Sequence, residues 1–343
     1  MRDPIILPFA GTLPTLAAAP VAEARSALIG RLTAGAGLTL GADTVIRADG
    51  HFVTIGDDFR LRDGATVHIA HDVYPTIIGD RVTVGRNAVV HACTVGDDVV
   101  IEDDVVILDG SVVGARTILA AGSVVFPRTS LEGGRLFSGV PAKPVREVTL
   151  DDVARAAASL AAAAPRPRLE PSAAPSDLSR LPPSAYVAAT ARLHGRVVVG
   201  EKASVWFGCL LDAGAQSIEL GEAANVQDNT VIVCRDAPFR LGRGAVIGHN
   251  VRLGGCEIGE GALIGIGAIV AEGTVVEPGV LLAAGAETEP GQRLESGWLW
   301  AGRPARPLTQ MDERKHAMIA ATIRNYTAYA AAMRPVQEEV LAT

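Results

Sequence analysis

An all-β solenoid is the fold this sequence predicts, arranged as two tandem β-helix lobes each followed by a C-terminal α-helix. Three observations predict it. Aliphatic residues recur every six positions, the two halves align with each other, and the 343 residues hold only 14 aromatics against 37 glycines. A core with so few large rings must be built from many small, similar layers. A period of six fits neither the 3.6 of a helix nor the 2 of a strand. It fits a coil of three short strands, about 18 residues in all, with one aliphatic side chain per face turned inward and a small residue at each corner.

The first rhythm runs through Ile55-Gly56, Leu61, Val67, Ile78-Gly79, Val84-Gly85 and Val90, then Val95-Gly96, Ile101, Ile107, Val113-Gly114, Leu119 and Val125. The second runs through Leu220-Gly221, Val226, Ile232, Leu241-Gly242, Ile247-Gly248 and Leu253, then Ile258-Gly259, Ile264-Gly265, Val270, Val276 and Leu282. Arg47 to His68 aligns with Asp212 to Val233 at a constant offset of 165, and Arg86 to Pro144 with His249 to Pro307 at 163. LEGGRLFSGVPAKP (131–144) pairs with LESGWLWAGRPARP (294–307). The chain is a tandem duplication.

Each array should end in a helix. Thr149 with Asp152 has the form of a capping box before an alanine-rich run, and Thr309 with Asp312 predicts a second helix reaching about Met333. Residues 165–183 carry six prolines and read as a semi-extended linker, so the lobes are assigned to 1–164 and 184–343.

Lys plus Arg number 31 against 38 Asp plus Glu, with no basic run, which disfavours generic nucleic-acid binding. No stretch approaches the ~18 uninterrupted apolar residues of a membrane span. The apolar start is broken by Asp3 and by prolines 4, 8, 14 and 20, so a mature cytoplasmic chain is expected. Cys93, Cys209, Cys234 and Cys256 form no metal-ribbon spacing and read as small buried hydrophobes. The sequence lacks G-x-S-x-G, a Walker loop and G-x-G-x-x-G, which removes support for serine hydrolase, P-loop and dinucleotide readings.

The segments VWFG (205–208), NVQD (225–228), GHNVRLGGC (248–256), ATVHIAHD (65–72) and VGRNAVVHAC (84–93) resemble the γ-class carbonic anhydrases and their relatives among left-handed hexapeptide β-helices. The resemblance covers nearly the whole chain, twice. It implies left-handed parallel β-helices, a trimer of triangular prisms, and metal sites between neighbours, with two histidines from one subunit and one from the next.

Carried over residue by residue, the first ligand position falls on His68 in the first copy and Val233 in the second. The second falls on Arg86 and His249, the third on His91 and Gly254. Each position keeps histidine in one copy only. Tetrahedral zinc needs its nitrogens at ~2.0–2.1 Å with a fourth position left for water. His68, His91 and His249 complete one set if unlike lobes abut, so a composite metal site is expected. Decay of two redundant copies by chance would more readily lose one position altogether or keep another twice.

Asn225 and Gln227 survive in the copy that keeps His249, and are expected to enter the same pocket as catalytic residues. His71, beside Asp72, is a candidate proton relay. Arg47, Asp49, Asp63 and Asp228 resemble the family's inter-subunit ion pairs and are expected to be structural, between lobes. The first copy reads Arg60-Leu61-Arg62-Asp63 where the second reads Asn225-Val226-Gln227-Asp228.

The resemblance therefore implies a lyase that hydrates carbon dioxide reversibly with zinc, iron or cobalt being the alternatives. Its partners would be copies of itself in trimeric rings mixing first and second lobes, and a small-molecule substrate. Two other classes stay open: hydrolysis or acyl transfer on coenzyme A thioesters, and a catalytically inactive trimeric scaffold.

Overall fold

The computed structural model describes residues 3–164 and 169–342. Residues 165–168, in the proline-rich segment, lie outside the described residues. The chain divides there into two compact units.

The first lobe is a parallel β-helix. Most of its strands are two or three residues long, with longer ones at Ala27–Ala34 and Val45–Ile55, and along the coils each pairs in parallel with the strand one coil on. Three aliphatic columns result: Ile55, Ile78, Val95, Val113 and Leu131 on one face, Leu61, Val84, Ile101 and Leu119 on the second, and Val67, Val90, Ile107 and Val125 on the third. All are buried in one core. Fully burying such a side chain is worth roughly 1.5–3 kcal/mol, so the prism is stabilised by repetition rather than by large rings.

Corners follow from the same hexad. Residues such as Asp98, Asp104 and Arg116 take left-handed φ of 57°, 59° and 56°. The glycine after an inward aliphatic has a different job. A Cβ on Gly56 would stand 2.7 Å from the carbonyl carbon of Gly79 on the next coil, so the spacing between coils excludes a side chain there.

The second lobe repeats the plan. Leu220, Leu241, Ile258, Val276 and Leu294 form one column, Val226, Ile247, Ile264, Leu282 and Trp300 the next, and Ile232, Leu253 and Val270 the third. These too are buried together. Within this lobe, Ser176 N–H donates to Leu193 O at 2.9 Å and Gly195 N–H to Ala174 O at 2.7 Å, so residues 174–176 lie along the strand Arg192–Val199.

Both lobes end in an antiparallel hairpin, 135–147 and 298–310, before the helix. Helix α1, Leu150–Ala162, starts as expected: Thr149 caps it and the reciprocal bond to Asp152 completes the box. Helix α2 differs. Thr309 is held in the hairpin opposite Leu299, so the helix begins only at Glu313, and Asp312 accepts from Lys315 N–H at 2.9 Å. It runs on to Ala342, beyond Met333 and through Pro335. Gln337 secures that extension. Its amide oxygen accepts from Tyr186 and from Ala189 N–H, and its nitrogen donates to Val187 O at 3.0 Å.

The four cysteines are buried and form no disulfide among the described residues, in line with packing residues. Burial pushes the Cys234 thiol up to about 11, so it stays protonated at neutral pH. Among the described residues no helix is long and apolar enough to cross a membrane.

Candidate metal centre

In the first lobe, Thr66–His68 and Val89–His91 are adjacent parallel strands, and their register sets His91 beside His68. Val67 and Val90 turn inward, so by the alternation of a strand the histidines that follow turn away from the prism core. His68 Nδ1 and His91 Nε2 stand 3.3 Å apart. Each ring is held from behind by a carboxylate. His68 Nε2 donates to Asp49 Oδ1 at 3.0 Å, and His91 Nδ1 to Asp109 Oδ1 at 2.6 Å.

An ionised carboxylate can only accept, so this hydrogen bonding assigns each ring's proton to the far nitrogen. Both facing nitrogens then present lone pairs. Acceptor against acceptor is a poor contact for neutral rings, and a shared cation turns it into a favourable one. Two nitrogens bound at 2.0–2.1 Å to a tetrahedral ion are about 3.3–3.4 Å apart. The observed spacing fits that ion.

Behind His68, Asp49 is also paired with the fully buried Arg47, so Arg47-Ala48-Asp49 orients a histidine inside its own lobe. Asp63 sits at a corner and accepts from Ala42 N–H at 3.2 Å. His71 occupies an exposed loop with φ 49°, its Nε2 3.9 Å from Asp72.

In the second lobe, His249 follows the strand Val246–Ile247 and is fully buried. Its Nδ1 faces Asp228 Oδ2 at 3.1 Å, and its Nε2 lies 3.2 Å from the Tyr326 hydroxyl on α2. Which of Nε2 and the Tyr326 hydroxyl donates follows the tautomer of the ring. Asp228 also accepts from Phe207 N–H at 3.1 Å. Asn225 and Gln227 are buried, with Gln227 Nε2 3.4 Å from Asn225 Oδ1. The Asn225 amide nitrogen has no hydrogen-bond partner among the described residues.

The positions that lost histidine have acquired other work or none. In the first lobe, Arg62 and Arg86 stand where the second has Gln227 and His249. Arg62 donates to the carbonyls of Leu160 and Ala163, and Arg86 to Ala164 O at 2.6 Å while pairing with Asp103 at 2.8 Å. The last turn of α1 carries no basic residue of its own. These two guanidiniums satisfy its orphan carbonyls and the negative end of its dipole. Val233 and Gly254, at the other two positions, offer no donor atom.

Sequence reasoning missed Asp109, Tyr326 and the clamp on α1. Asp109 lies one coil beyond His91, where an acidic residue at an 18-residue offset was a usable signal. Tyr326 is 77 residues from His249 and gave none.

The repeats and the braced histidines define a class, the hexapeptide-repeat β-helices. The family profile described as bacterial transferase hexapeptide (six repeats) matches residues 92–127. The chain is 36% identical over 133 residues to "Gamma carbonic anhydrase 2, mitochondrial" of Arabidopsis thaliana, covering 37% of this chain and 48% of that protein. It is 31% identical over 145 residues to "Carnitine operon protein CaiE" of Escherichia coli K12, covering 42% of this chain and 74% of that protein. A solved hexapeptide transferase family protein from Anaplasma phagocytophilum is 38% identical, with 44% of this chain and 90% of that chain covered at a TM-score of 0.42. This chain is a tandem γ-carbonic-anhydrase-like member of the hexapeptide-repeat family. The match spans about half the length of the Arabidopsis protein.

Proposed function

We propose that the protein is a lyase that hydrates carbon dioxide reversibly at a metal site shared by unlike lobes, His68 and His91 coming from a first lobe and His249 from a second. The observation that carries this reading is the facing pair of His68 Nδ1 and His91 Nε2, 3.3 Å apart with both protons drawn to the far side by Asp49 and Asp109. The third nitrogen would come from His249, whose Nδ1 faces Asp228 at 3.1 Å. A bound zinc ion, or iron or cobalt in its place, would lower the pKa of water from 15.7 to about 7 and so supply hydroxide at neutral pH.

The chain's own residues do the rest. Asp49 and Asp109 each fix one histidine's tautomer and ring angle and raise its basicity, and Asp228 sets a negative charge 3.1 Å from His249 Nδ1. Asn225, whose amide nitrogen is buried, and Gln227 would orient the substrate's oxygens. His71, exposed on its loop, would pass a proton to solvent. A ring of first lobes alone would offer two histidines and an arginine already committed to α1. A ring of second lobes alone would offer His249 only. Trimeric rings that mix the lobes are therefore the assembly this reading requires.

The test is metal content and carbon dioxide hydration of the wild type, His68→Ala and His249→Ala. Metal at one ion per chain, lost together with hydration in both variants, supports the shared site. Equal metal in wild type and His249→Ala overturns it. Metal without hydration, joined to binding of coenzyme A, would move the assignment to thioester chemistry, and absence of stoichiometric metal would leave a scaffold.

A further inference from the structure

We infer that the second lobe closes its own first- and third-ligand face against like lobes, so that His249 pairs with a first lobe and not with another second lobe. The inference rests on the reading of the metal site as shared between lobes. Two positions that stand behind ligand histidines in the first lobe have turned, in the second, to grip the lobe's own backbone.

Asp109 and Glu272 are counterparts in the aligned halves. Asp109 accepts from His91 Nδ1 at 2.6 Å. Glu272 gathers three successive amides onto one oxygen instead: Arg235 N–H at 3.3 Å, Asp236 N–H at 2.7 Å and Ala237 N–H at 3.0 Å. The Asp236 amide above all holds its carboxyl below the usual carboxylate range, so it is ionised at neutral pH. The gripped loop is drawn in against Gly254-Gly255. A Cβ on Gly255 would collide with Ala237 O, and one on Gly254 would stand 2.9 Å from Glu272 Cα and Cβ. The held loop leaves no room for a histidine at the third position.

Arg47 and Asp212 are the other counterparts. Arg47 pairs with Asp49 behind His68. Asp212 is buried, lies beside Val233 in register, and accepts from the N–H and hydroxyl of Ser172 at 2.7 and 2.8 Å. His194 Nδ1 donates to Ala173 O at 3.0 Å and Ser176 N–H to Leu193 O at 2.9 Å, so residues 172–176 are bound across the opening coil. The first lobe has an added strand of its own, Ile5–Leu7, but it runs parallel to its neighbour, and Arg47 there serves Asp49.

Bonds from backbone N–H groups to a carboxylate are among the stronger hydrogen bonds, so both segments are firmly set. A second lobe arriving with His249 would meet Val233 and Gly254, which offer an ion nothing, across two segments held in place. A first lobe offers His68 and His91. Partner choice is a difference of affinities, and here one face supplies ligands while its counterpart is closed.

The experiment refolds light and heavy isotope-labelled full chains together and maps cross-links by mass spectrometry, with amide exchange and zinc content measured alongside. It compares wild type, Glu272→Ala and the double variant Asp212→Ala with Glu272→Ala. The wild type should give links between first and second lobes and none between second lobes of different chains, a readout that needs no variant to fold. In the double variant, exchange at Ser172, Asp236 and Ala237 should quicken by about tenfold to a hundredfold, the worth of one hydrogen bond to a charged group. Links between second lobes should then appear and zinc per chain should fall. Second-lobe links as abundant as unlike-lobe links in the wild type overturn the inference. So does faster exchange with an unchanged link pattern, or exchange that does not change. Unlike-lobe links in a wild type that binds no zinc leave the pairing rule standing and remove the metal reading.

Discussion

His68 and His91 are 23 residues apart in sequence and 3.3 Å apart in space, and each is braced from behind by its own carboxylate. The brace on His91 is the more accessible to test. Asp109 is 43% exposed on its side chain and contributes nothing to the core columns. Asp109→Ala should leave the fold intact and weaken metal binding by about 10- to 100-fold, the usual cost of losing a carboxylate behind a ligand histidine. A zinc competition assay reads this, and an unchanged affinity would remove Asp109 from the site.

The clamp on α1 makes an independent prediction. Arg86→Ala strips the charged donor from Ala164 O and leaves Asp103 without its partner guanidinium. A hydrogen bond to a charged group is worth about 1.5–3 kcal/mol, and solvent at this half-buried rim places the loss near the lower end. Chemical denaturation should register it, and amide exchange should quicken at the end of α1 while the coil amides stay protected.

Glycines of two kinds should respond differently to alanine. Gly56→Ala brings a methyl within 2.7 Å of backbone on the neighbouring coil, and coils cannot part locally without straining the stack. Its cost should be about 1–3 kcal/mol. Gly64 has φ +65° but nothing within 4 Å of an added Cβ, so Gly64→Ala carries only the left-handed backbone strain, roughly 1 kcal/mol. Paired denaturation curves separate steric from conformational demand.

The capping box of α1 predicts a pH signature. The backbone N–H and hydroxyl of Thr149 donate to Asp152, with Arg155 adding a further bond, and hold its carboxyl well below the usual carboxylate range. A depressed folded pKa means that the contribution is present above the unfolded value near 3.9 and fades as pH falls through the folded value. Thr149→Ala should raise the Asp152 pKa toward the ordinary value, as seen by carboxyl NMR titration, and shift the acid fraying of α1 to higher pH.

Much of this could be read before any coordinates. Leu61, Val84, Ile101 and Leu119 were legible as one column because a coil repeats its inward position whatever the residues between. His68 and His91 were legible as neighbours for the same reason. The start of α2 was not: Thr309 with Asp312 imitates the Thr149–Asp152 box, but the hairpin partner Leu299 claims Thr309 first. Arg86 looked like a decayed ligand position and is instead a helix clamp, because the carbonyl it serves is 78 residues away.

The sequence by itself determined the prism, its duplication and the uneven sharing of histidines, since all three are written in a period that local stacking enforces. The tertiary structure decided the rest. Which nitrogen of His68 and of His91 carries the proton, and that a tyrosine on α2 reaches His249, depend on Asp49, Asp109 and Tyr326 arriving from other coils or a distant helix, and no short-range pattern encodes where a side chain from elsewhere will point.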